Sequence, residues 1–199
     1  MLRYNSVVYD ASHTTYLILL RCIDAVWIAV GIVWVAGAVF TKRTARSQTA
    51  GSRIIHLLLA ATGFYLEFKG PSGWRFLPES SAIALTGLAL TVAGAAIAVW
   101  ARVMLGGNWS AVVTIKRDHR IIRRGPYAVV RHPIYSGGLL ALLGTAIAFG
   151  AVRGLIGFAL VFIGWWMKSR LEETFLEKQF GADYAQYKRE VKGLIPFVL

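Results

Sequence analysis

The stretch from Arg131 to Gly138 (Arg-His-Pro-Ile-Tyr-Ser-Gly-Gly) brings a cation, an imidazole, a phenol and two glycines together. Pro133 suits the first turn of a helix, where its missing N–H needs no partner. The N–H groups of that turn, with Arg131 and His132 beside them, predict a site for an anion such as a carboxylate. Gly137 and Gly138 would let a ligand or a neighbouring helix approach the backbone closely. The alternative is an ordinary helix start after a basic loop.

A second stretch, Lys168-Ser-Arg-Leu-Glu-Glu173, places two adjacent carboxylates after an apolar run. Adjacent residues on a helix point about 100° apart, so at most one glutamate faces a given site squarely. Glu172 follows Lys168 by four, which predicts a surface pair, whereas Glu173 has the like-charged Glu177 at that spacing. A carboxylate kept in an unfavourable setting favours a functional role. We therefore expect Glu173→Gln to reduce activity far more than Glu172→Gln.

Tyrosines follow this stretch at helical spacing. Gly181 is typical of a helix stop, and Tyr184 and Tyr187 then share one face of a short helix. A carboxylate with aromatic neighbours favours a cationic, hydroxyl-bearing ligand. Tyrosines that only anchor the helix at a membrane surface are the alternative.

The composition indicates that lipid solvates much of the chain. Its 199 residues are 56% hydrophobic and only 16% charged, whereas a soluble domain is about 25% charged. The net charge of +12 alone would suit nucleic acid, anionic lipid or an anionic substrate. Lys and Arg crowd the cytosolic ends of membrane segments, so the bilayer is the expected partner and nucleic acid is not. A lone Cys22 excludes a disulfide framework, and the four histidines lack metal-ligand spacing, so no metal is expected.

Apolar runs predict five membrane segments, since a bilayer core needs about 20 apolar residues per helix. They cover residues 16–40, 54–68, 82–105, 135–152 and 154–167. A tight turn near Arg153 and Gly154 separates the last two. The fifth would span only about 21 Å unless it continues as helix to Phe180, which we expect. The sequence therefore predicts an all-α polytopic membrane protein with about five transmembrane helices and a cytosolic C-terminal helical cap.

The loop cations predict the orientation of these segments. Three clusters lie on one side: Lys42, Arg43, Arg46 and Arg53; Lys116, Arg117, Arg120, Arg123, Arg124 and Arg131; Lys168, Arg170, Lys178, Lys188, Arg189 and Lys192. The other side has only Arg3, Lys69, Arg75 and Arg153. Five crossings with the N-terminus outside place all three clusters in the cytosol, as the positive-inside rule requires.

Ionisable residues inside the apolar runs are functional candidates by default, but here a structural role is favoured because each has a nearby partner or access to water. Arg21 and Asp24 are three apart and predict a pair on one helix. Glu67 and Arg102 lie near helix ends, from which their side chains are expected to reach the interface.

Together and in this order, the motifs resemble the isoprenylcysteine carboxyl methyltransferase family, whose superfamily includes membrane phospholipid N-methyltransferases. They are Gly125-Pro-Tyr127, Arg131-His-Pro-x-Tyr-x-Gly137, Glu172-Glu173, Phe180-Gly181, Tyr184-x-x-Tyr187 and a closing Leu-Ile-Pro. The resemblance covers about residues 100–199, a cofactor-binding methyltransferase half. Residues 1–99 carry no matching motif but belong to the same single membrane domain.

The resemblance implies S-adenosylmethionine as methyl donor and a hydrophobic or prenylated acceptor, most simply the carboxylate of an isoprenylated cysteine. It implies a cytoplasmic or endoplasmic-reticulum type membrane. The residues implied to contact the cofactor are Tyr127, His132, Tyr135, Gly138, Glu172, Glu173 and Tyr184, and those implied in catalysis are Arg131, Lys168 and Glu173. Arg131 or Lys168 would hold an acceptor carboxylate, and Glu173 would help to deprotonate an amine acceptor.

Two features depart from the family pattern. Glu190-Val-Lys192 stands where the family commonly has Arg-Val-Pro, and Lys168 is the cation before the glutamate pair. A reductase using NADPH and a non-catalytic membrane adaptor are the competing hypotheses. No glycine-rich dinucleotide fingerprint follows a strand, which excludes the soluble Rossmann methyltransferase fold.

Overall fold

Six α-helices form nearly all of the structure, a computed structural model that describes residues 2–38, 44–47, 49–69, 73–106, 109, 114–116 and 121–196. In chain order they are α1 (Leu2–Ala38), α2 (Ala50–Phe68), α3 (Ser81–Leu105), α4 (Pro133–Phe149), α5 (Val152–Phe180) and α6 (Ala182–Glu190). A short two-stranded antiparallel ladder, β1 (Thr44–Ser47) with β2 (Thr114–Lys116), is present besides the helices and leaves the expected all-α class unchanged. A 3₁₀ turn covers Gly125–Ala128. Lys42, Arg43, Arg117 and Arg120 of the predicted cationic loops lie outside the described residues.

Several helix ends follow directly from local sequence. Thr49 caps α2 by accepting a hydrogen bond from the Ser52 N–H at 3.4 Å. Pro133 occupies the first turn of α4, and Gly181 ends α5 at φ 52°, both as expected. The continuation of the fifth segment to Phe180 is confirmed.

Two predicted boundaries were wrong. The helix of the first segment begins at Leu2 rather than near residue 16, and it ends at Ala38. The turn between the fourth and fifth segments lies at Gly150 and Ala151, not at Arg153 and Gly154. Gly150 ends α4 because it adopts φ 61°, a conformation that residues with a Cβ rarely adopt.

Three helices among the described residues are long and apolar enough to cross a membrane: 11–38 of α1, α3 and α5. The fourth helix is apolar but only 17 residues long. Large side chains such as Ile32 and Val35 project outward from α1, each more than 60% exposed, as expected of a surface in contact with lipid. The chain is a helical membrane protein.

Glycines bring two helix pairs into backbone contact. On α3 and α4, a Cβ added at Gly137 would lie 2.6 Å from the backbone nitrogen of Ala98, and one at Gly144 would lie 2.5 Å from the Gly87 carbonyl oxygen. Gly63 of α2 meets Gly157 of α5 in the same way. Gly87 and Gly94 therefore serve to pack α3 against α4 within this chain.

Of the four charged residues in the apolar runs, two form an ion pair and two are buried. Arg21 and Asp24 pair at 3.5 Å as expected. Glu67 and Arg102, in contrast, do not reach an interface, because both are buried at 1% and 4% exposure. Arg102 donates to the carbonyl oxygens of Gly37 (2.6 Å) and Gly106 (3.0 Å), so it joins α1 to the end of α3.

Candidate active site

A cavity of about 1110 Å³, here called the main cavity, opens among α1 to α5. One end is mostly polar and the other mostly apolar, and Asp24 of α1 is a further charged residue of the lining. The polar end includes Arg53, His56, Tyr127, His132, Tyr135, Lys168 and Glu172, and the apolar end includes Trp27, Phe64, Phe68 and Trp165. Such a cavity suits a ligand, or two adjoining ligands, with one charged and one hydrophobic part.

Glu172 is the carboxylate that faces the main cavity. Its Oε1 accepts a hydrogen bond from the Tyr135 hydroxyl at 2.6 Å, and its Oε2 lies 3.5 Å from Nδ1 of His132. The rings of His132 and Tyr135 stack with centroids 5.7 Å apart. Glu172, His132 and Tyr135 therefore form one connected polar wall at the start of α4.

Glu173 points to the other side of α5, where it meets a different set of partners. Its Oε1 accepts from Nε and Nη2 of Arg131 at 3.0 and 2.6 Å and lies 3.3 Å from Nε2 of His132. Lys188 Nζ lies 3.1 Å from its Oε2 and 2.8 Å from Oε1 of Glu177. The Glu173 side chain is only 4% exposed and does not line the main cavity.

The premise that favoured Glu173 over Glu172 was therefore wrong. Lys188 lies between Glu173 and Glu177, so these like charges are compensated by a cation from α6 that same-helix spacing does not reveal. Glu172, expected to form a surface pair with Lys168, does interact electrostatically with that cation, but it is also held by Tyr135 of α4 and by His132 just before α4.

Arg131 does not offer an open anion site. Besides Glu173, its guanidinium donates to the carbonyl oxygens of Lys188 (3.1 Å) and Val191. The backbone N–H groups of Arg131 and His132 donate to the carbonyl oxygens of Lys192 (2.8 Å) and Gly193 (3.1 Å). The Arg131 guanidinium and the backbone N–H groups of Arg131 and His132 are thus occupied by Glu173 and residues 188–193 and are not available to an anion. Arg131 thereby connects α5 and α6 to the loop before α4.

His132 connects the two glutamates. Burial lowers the pKa of this imidazole, but its hydrogen bonds to Glu172 and Glu173 outweigh burial and raise the pKa. A protonated ring donates from both nitrogens, one toward each carboxylate. His132 is thus set to orient both glutamates as well as to line the main cavity.

The three predicted tyrosine positions differ in their access to the cavity. Tyr127 and Tyr135 line it, whereas Tyr184 does not. Tyr184 is 2% exposed, its hydroxyl has no hydrogen-bond partner among the described residues, and burial raises its pKa. The Tyr187 hydroxyl donates to the Tyr127 carbonyl oxygen at 2.5 Å. Neither tyrosine of α6 lines the main cavity, and Tyr187 helps to position Tyr127, which does line it.

The other predicted site residues, Lys168 and Gly138, line the main cavity. Nζ of Lys168 lies 5.4 Å from the ring centroid of Tyr135. A Cβ at Gly138 would meet the Trp165 ring at 2.6 Å. The close approach expected at Gly138 therefore involves an aromatic side chain of the neighbouring helix.

Sequence reasoning missed the contribution of α2. Arg53 and His56 line the polar end, and His56 lies within electrostatic range of Lys168 and Glu172. The two residues are three apart on one helix face, a spacing visible in the sequence. Without the tertiary contact between α2 and α5, however, they resemble ordinary cytosolic-side cations.

Comparisons with known proteins identify the family of the chain. Residues 82–183 match the phospholipid methyltransferase family. A probable protein-S-isoprenylcysteine O-methyltransferase from Oryza sativa subsp. indica is 31% identical over 125 residues, 61% of this chain and 65% of that protein. The Schizosaccharomyces pombe protein-S-isoprenylcysteine O-methyltransferase is 36% identical over 101 residues, 49% of this chain and 43% of that protein. The chain thus spans less than two thirds of either relative.

The fold has a solved counterpart. The structure of a eukaryotic intramembrane Ras methyltransferase, an isoprenylcysteine carboxyl methyltransferase, matches 77% of this chain with a TM-score of 0.50 at 22% identity, and 55% of that chain is covered. The family match includes His132, Tyr135, Lys168 and Glu172 of the polar end of the main cavity. The chain therefore belongs to the phospholipid methyltransferase family and is similar to its isoprenylcysteine O-methyltransferases.

Proposed function

We propose that the protein is an S-adenosylmethionine-dependent methyltransferase that acts on a hydrophobic acceptor, most simply the carboxylate of an isoprenylated cysteine. The observation that carries this proposal is the continuity of the main cavity from a polar to an apolar end. Pockets for one small molecule usually occupy about 300–1,000 Å³. At about 1110 Å³, the main cavity has room for a nucleoside cofactor and part of an apolar chain.

The polar wall suits the proposed cofactor. A carboxylate such as Glu172 accepts hydrogen bonds from ribose hydroxyls or an α-amino group, and it favours a nearby sulfonium charge. His132 and Tyr135 fix the direction of that carboxylate. When bound, the cofactor would supply an electrophilic methyl group. The chain itself supplies the orientation of the polar groups around it.

An acceptor carboxylate needs alignment rather than a base. A free carboxyl has a pKa near 3.3–3.7, roughly the value of a chain terminus, so it is already ionised at neutral pH. Lys168 and Arg53 line the polar end and supply cations that attract it, a role that Arg131 cannot take while bound to Glu173. Alignment and exclusion of water allow about 7–11 kcal/mol of barrier reduction.

We further propose five crossings, an outer N-terminus, and a cytosolic polar wall capped by α6. Both halves of the chain line the main cavity, which supports one membrane domain rather than two. Arg53 near the start of α2 and Lys168 of α5, which belong to two different cationic clusters of the sequence, line the same cavity, as the positive-inside rule favours.

Isothermal titration of detergent-purified protein tests the function. We expect S-adenosylhomocysteine, the product form of the proposed donor, to give saturable heat, and NADPH to give only the heat of dilution. Injection of each ligand into detergent alone is the blank. Saturable binding of NADPH alone would favour a reductase, and binding of neither ligand would favour an adaptor.

Cysteine labelling tests the orientation. In a Cys22→Ser background we expect Ser72→Cys to react with an impermeant thiol reagent from the outside and Ser47→Cys to react only after permeabilisation. Ser72 lies outside the described residues, but the test requires only that it lies in the sequence between α2 and α3. Labelling of Ser47→Cys from outside, with Ser72→Cys protected, would reverse the proposed topology.

A further inference from the structure

A second and smaller hollow, of about 290 Å³, lies beside α5 and the chain segment after α6. Its walls include Trp166 and Arg170 of α5, Lys188 of α6, and Lys192. Glu173 also borders this hollow, here called the basic recess, but does not border the main cavity. The main cavity is therefore lined by Glu172, and the basic recess is lined by Glu173.

The basic recess carries more positive charge than its own carboxylates compensate. Four cations line it: Arg131, Arg170, Lys188 and Lys192. Glu173 is the one acidic residue in its described lining, and Glu177, which pairs with Lys188, lies nearby. Four positive charges minus two negative charges leave an excess of two.

This excess is carried by exposed side chains. Arg170 is 59% exposed, and its nearest acidic contact is Glu173 at 3.8 Å. Lys192 is exposed and makes no ion pair within the part of the chain that the structure describes. Arg131 and Glu173, in contrast, compensate each other. Arg170 and Lys192 are therefore the groups with charge available to an incoming anion.

The recess lies where α5 changes from apolar to charged sequence. Ile163 and Trp166 are exposed on one face of this helix, and Arg170 continues that face after one further turn. Arg170 Cζ lies 5.9 Å from the Trp166 ring centroid. Tryptophan beside basic residues is typical of the boundary between lipid and water. The exposed apolar face of α5 leads directly to the recess from the lipid side.

We propose that the basic recess binds the phosphate of an anionic membrane phospholipid, separately from any ligand of the main cavity. Arg170 and Lys192 contact the phosphate oxygens, and the acyl chains lie against Ile163 and Trp166. Arginine and lysine are the usual partners of phosphate, and basic pockets at the cytosolic ends of membrane helices bind anionic headgroups. The site does not depend on the proposed methyl transfer.

The recess has a structural route to the main cavity. Glu173 contacts Lys188 on the recess side through Oε2, and Arg131 and His132 through Oε1. His132 in turn contacts Glu172, which faces the main cavity. An anion that attracts Lys188 and Arg170 thus acts on the same carboxylate that orients His132.

Lipid binding is measured on the full chain by native mass spectrometry from detergent, with phosphatidylglycerol and phosphatidylcholine titrated separately. We expect phosphatidylglycerol to bind the wild type in preference to phosphatidylcholine. The double variant Arg170→Gln/Lys192→Gln should bind phosphatidylglycerol about tenfold less tightly, as expected when two charge-assisted contacts are lost at a partly screened surface. Arg170→Lys should retain most of the binding.

The matched control is Lys178→Gln/Arg189→Gln, which removes two exposed cations outside the recess, one from α5 and one near the end of α6. Equal weakening by the control, or no preference for phosphatidylglycerol, overturns the proposal. Inorganic phosphate is the third probe. If millimolar phosphate displaces phosphatidylglycerol completely, the site recognises a free anion and the lipid assignment is wrong. Size-exclusion profiles confirm that each variant is folded.

Discussion

Glu172→Gln is expected to reduce methyl transfer by about 30- to 150-fold while the protein stays folded. This corresponds to the loss of about 2–3 kcal/mol from charge-assisted hydrogen bonds at the cavity-facing carboxylate. The amide keeps the shape of the side chain but removes the charge that faces the main cavity. A radiolabelled-methyl assay on a prenylated cysteine analogue measures the rate, and titration with S-adenosylhomocysteine measures cofactor affinity.

Glu173→Gln should act mainly on stability. The substitution leaves Arg131 buried without its carboxylate, and breaking a buried ion pair on one side costs about 3–5 kcal/mol. Glu177→Gln, on the same helix but 42% exposed, is the control and should affect neither property much. If folded Glu173→Gln loses more cofactor affinity than Glu172→Gln, the preference for Glu173 suggested by sequence spacing is correct and the cavity-facing assignment is wrong.

Gly94→Ala should destabilise the protein by about 3 kcal/mol or more, at the upper end of the cost of overpacking. A Cβ at Gly94 would overlap the backbone atoms of Ala141 and Gly137 on α4, which cannot move aside as a side-chain tip can. The helices must separate instead, and Ala95, Ala98 and Ala141 of the main cavity move with them. The temperature at which detergent-purified protein loses its monodisperse elution peak measures the effect.

Gly51→Ala is the matched control for this substitution. No heavy atom lies within 4 Å of a Cβ at Gly51, so the change should be neutral or slightly stabilising through helix propensity. Equal melting of wild type and Gly94→Ala would mean that α3 and α4 are not in backbone contact.

Features determined by neighbours along the chain were predictable from the sequence. Pro133 and Gly181 mark helix ends because their backbone preferences act locally. The apolar runs predicted the helices, because a backbone surrounded by lipid must form its hydrogen bonds within its own segment. The ordered motifs also named most of the polar wall, including His132 and Tyr135.

Features that depend on partners far along the chain were not predictable. Glu173 and Arg131 are 42 residues apart, and the Arg102–Gly37 contact spans 65 residues. Periodicity within one helix cannot reveal such contacts. From the sequence we therefore expected Glu173 to lack a compensating cation and the Arg102 side chain to reach the membrane interface. The entry of Arg53 and His56 into the cavity likewise required the packing of α2 on α5.

The three-segment attachment of Arg131 has a consequence for biosynthesis. Chains emerge from the ribosome in order, and their early parts begin to fold before the later parts exist. Arg131 gains its Glu173 partner only after α5 is made, and its carbonyl partners at Lys188 and Val191 come later still. Until then a guanidinium destined for burial needs solvation by water or headgroups. The Arg131 contacts are therefore complete only after the chain has been made as far as Val191, later than the helices that surround the cavity.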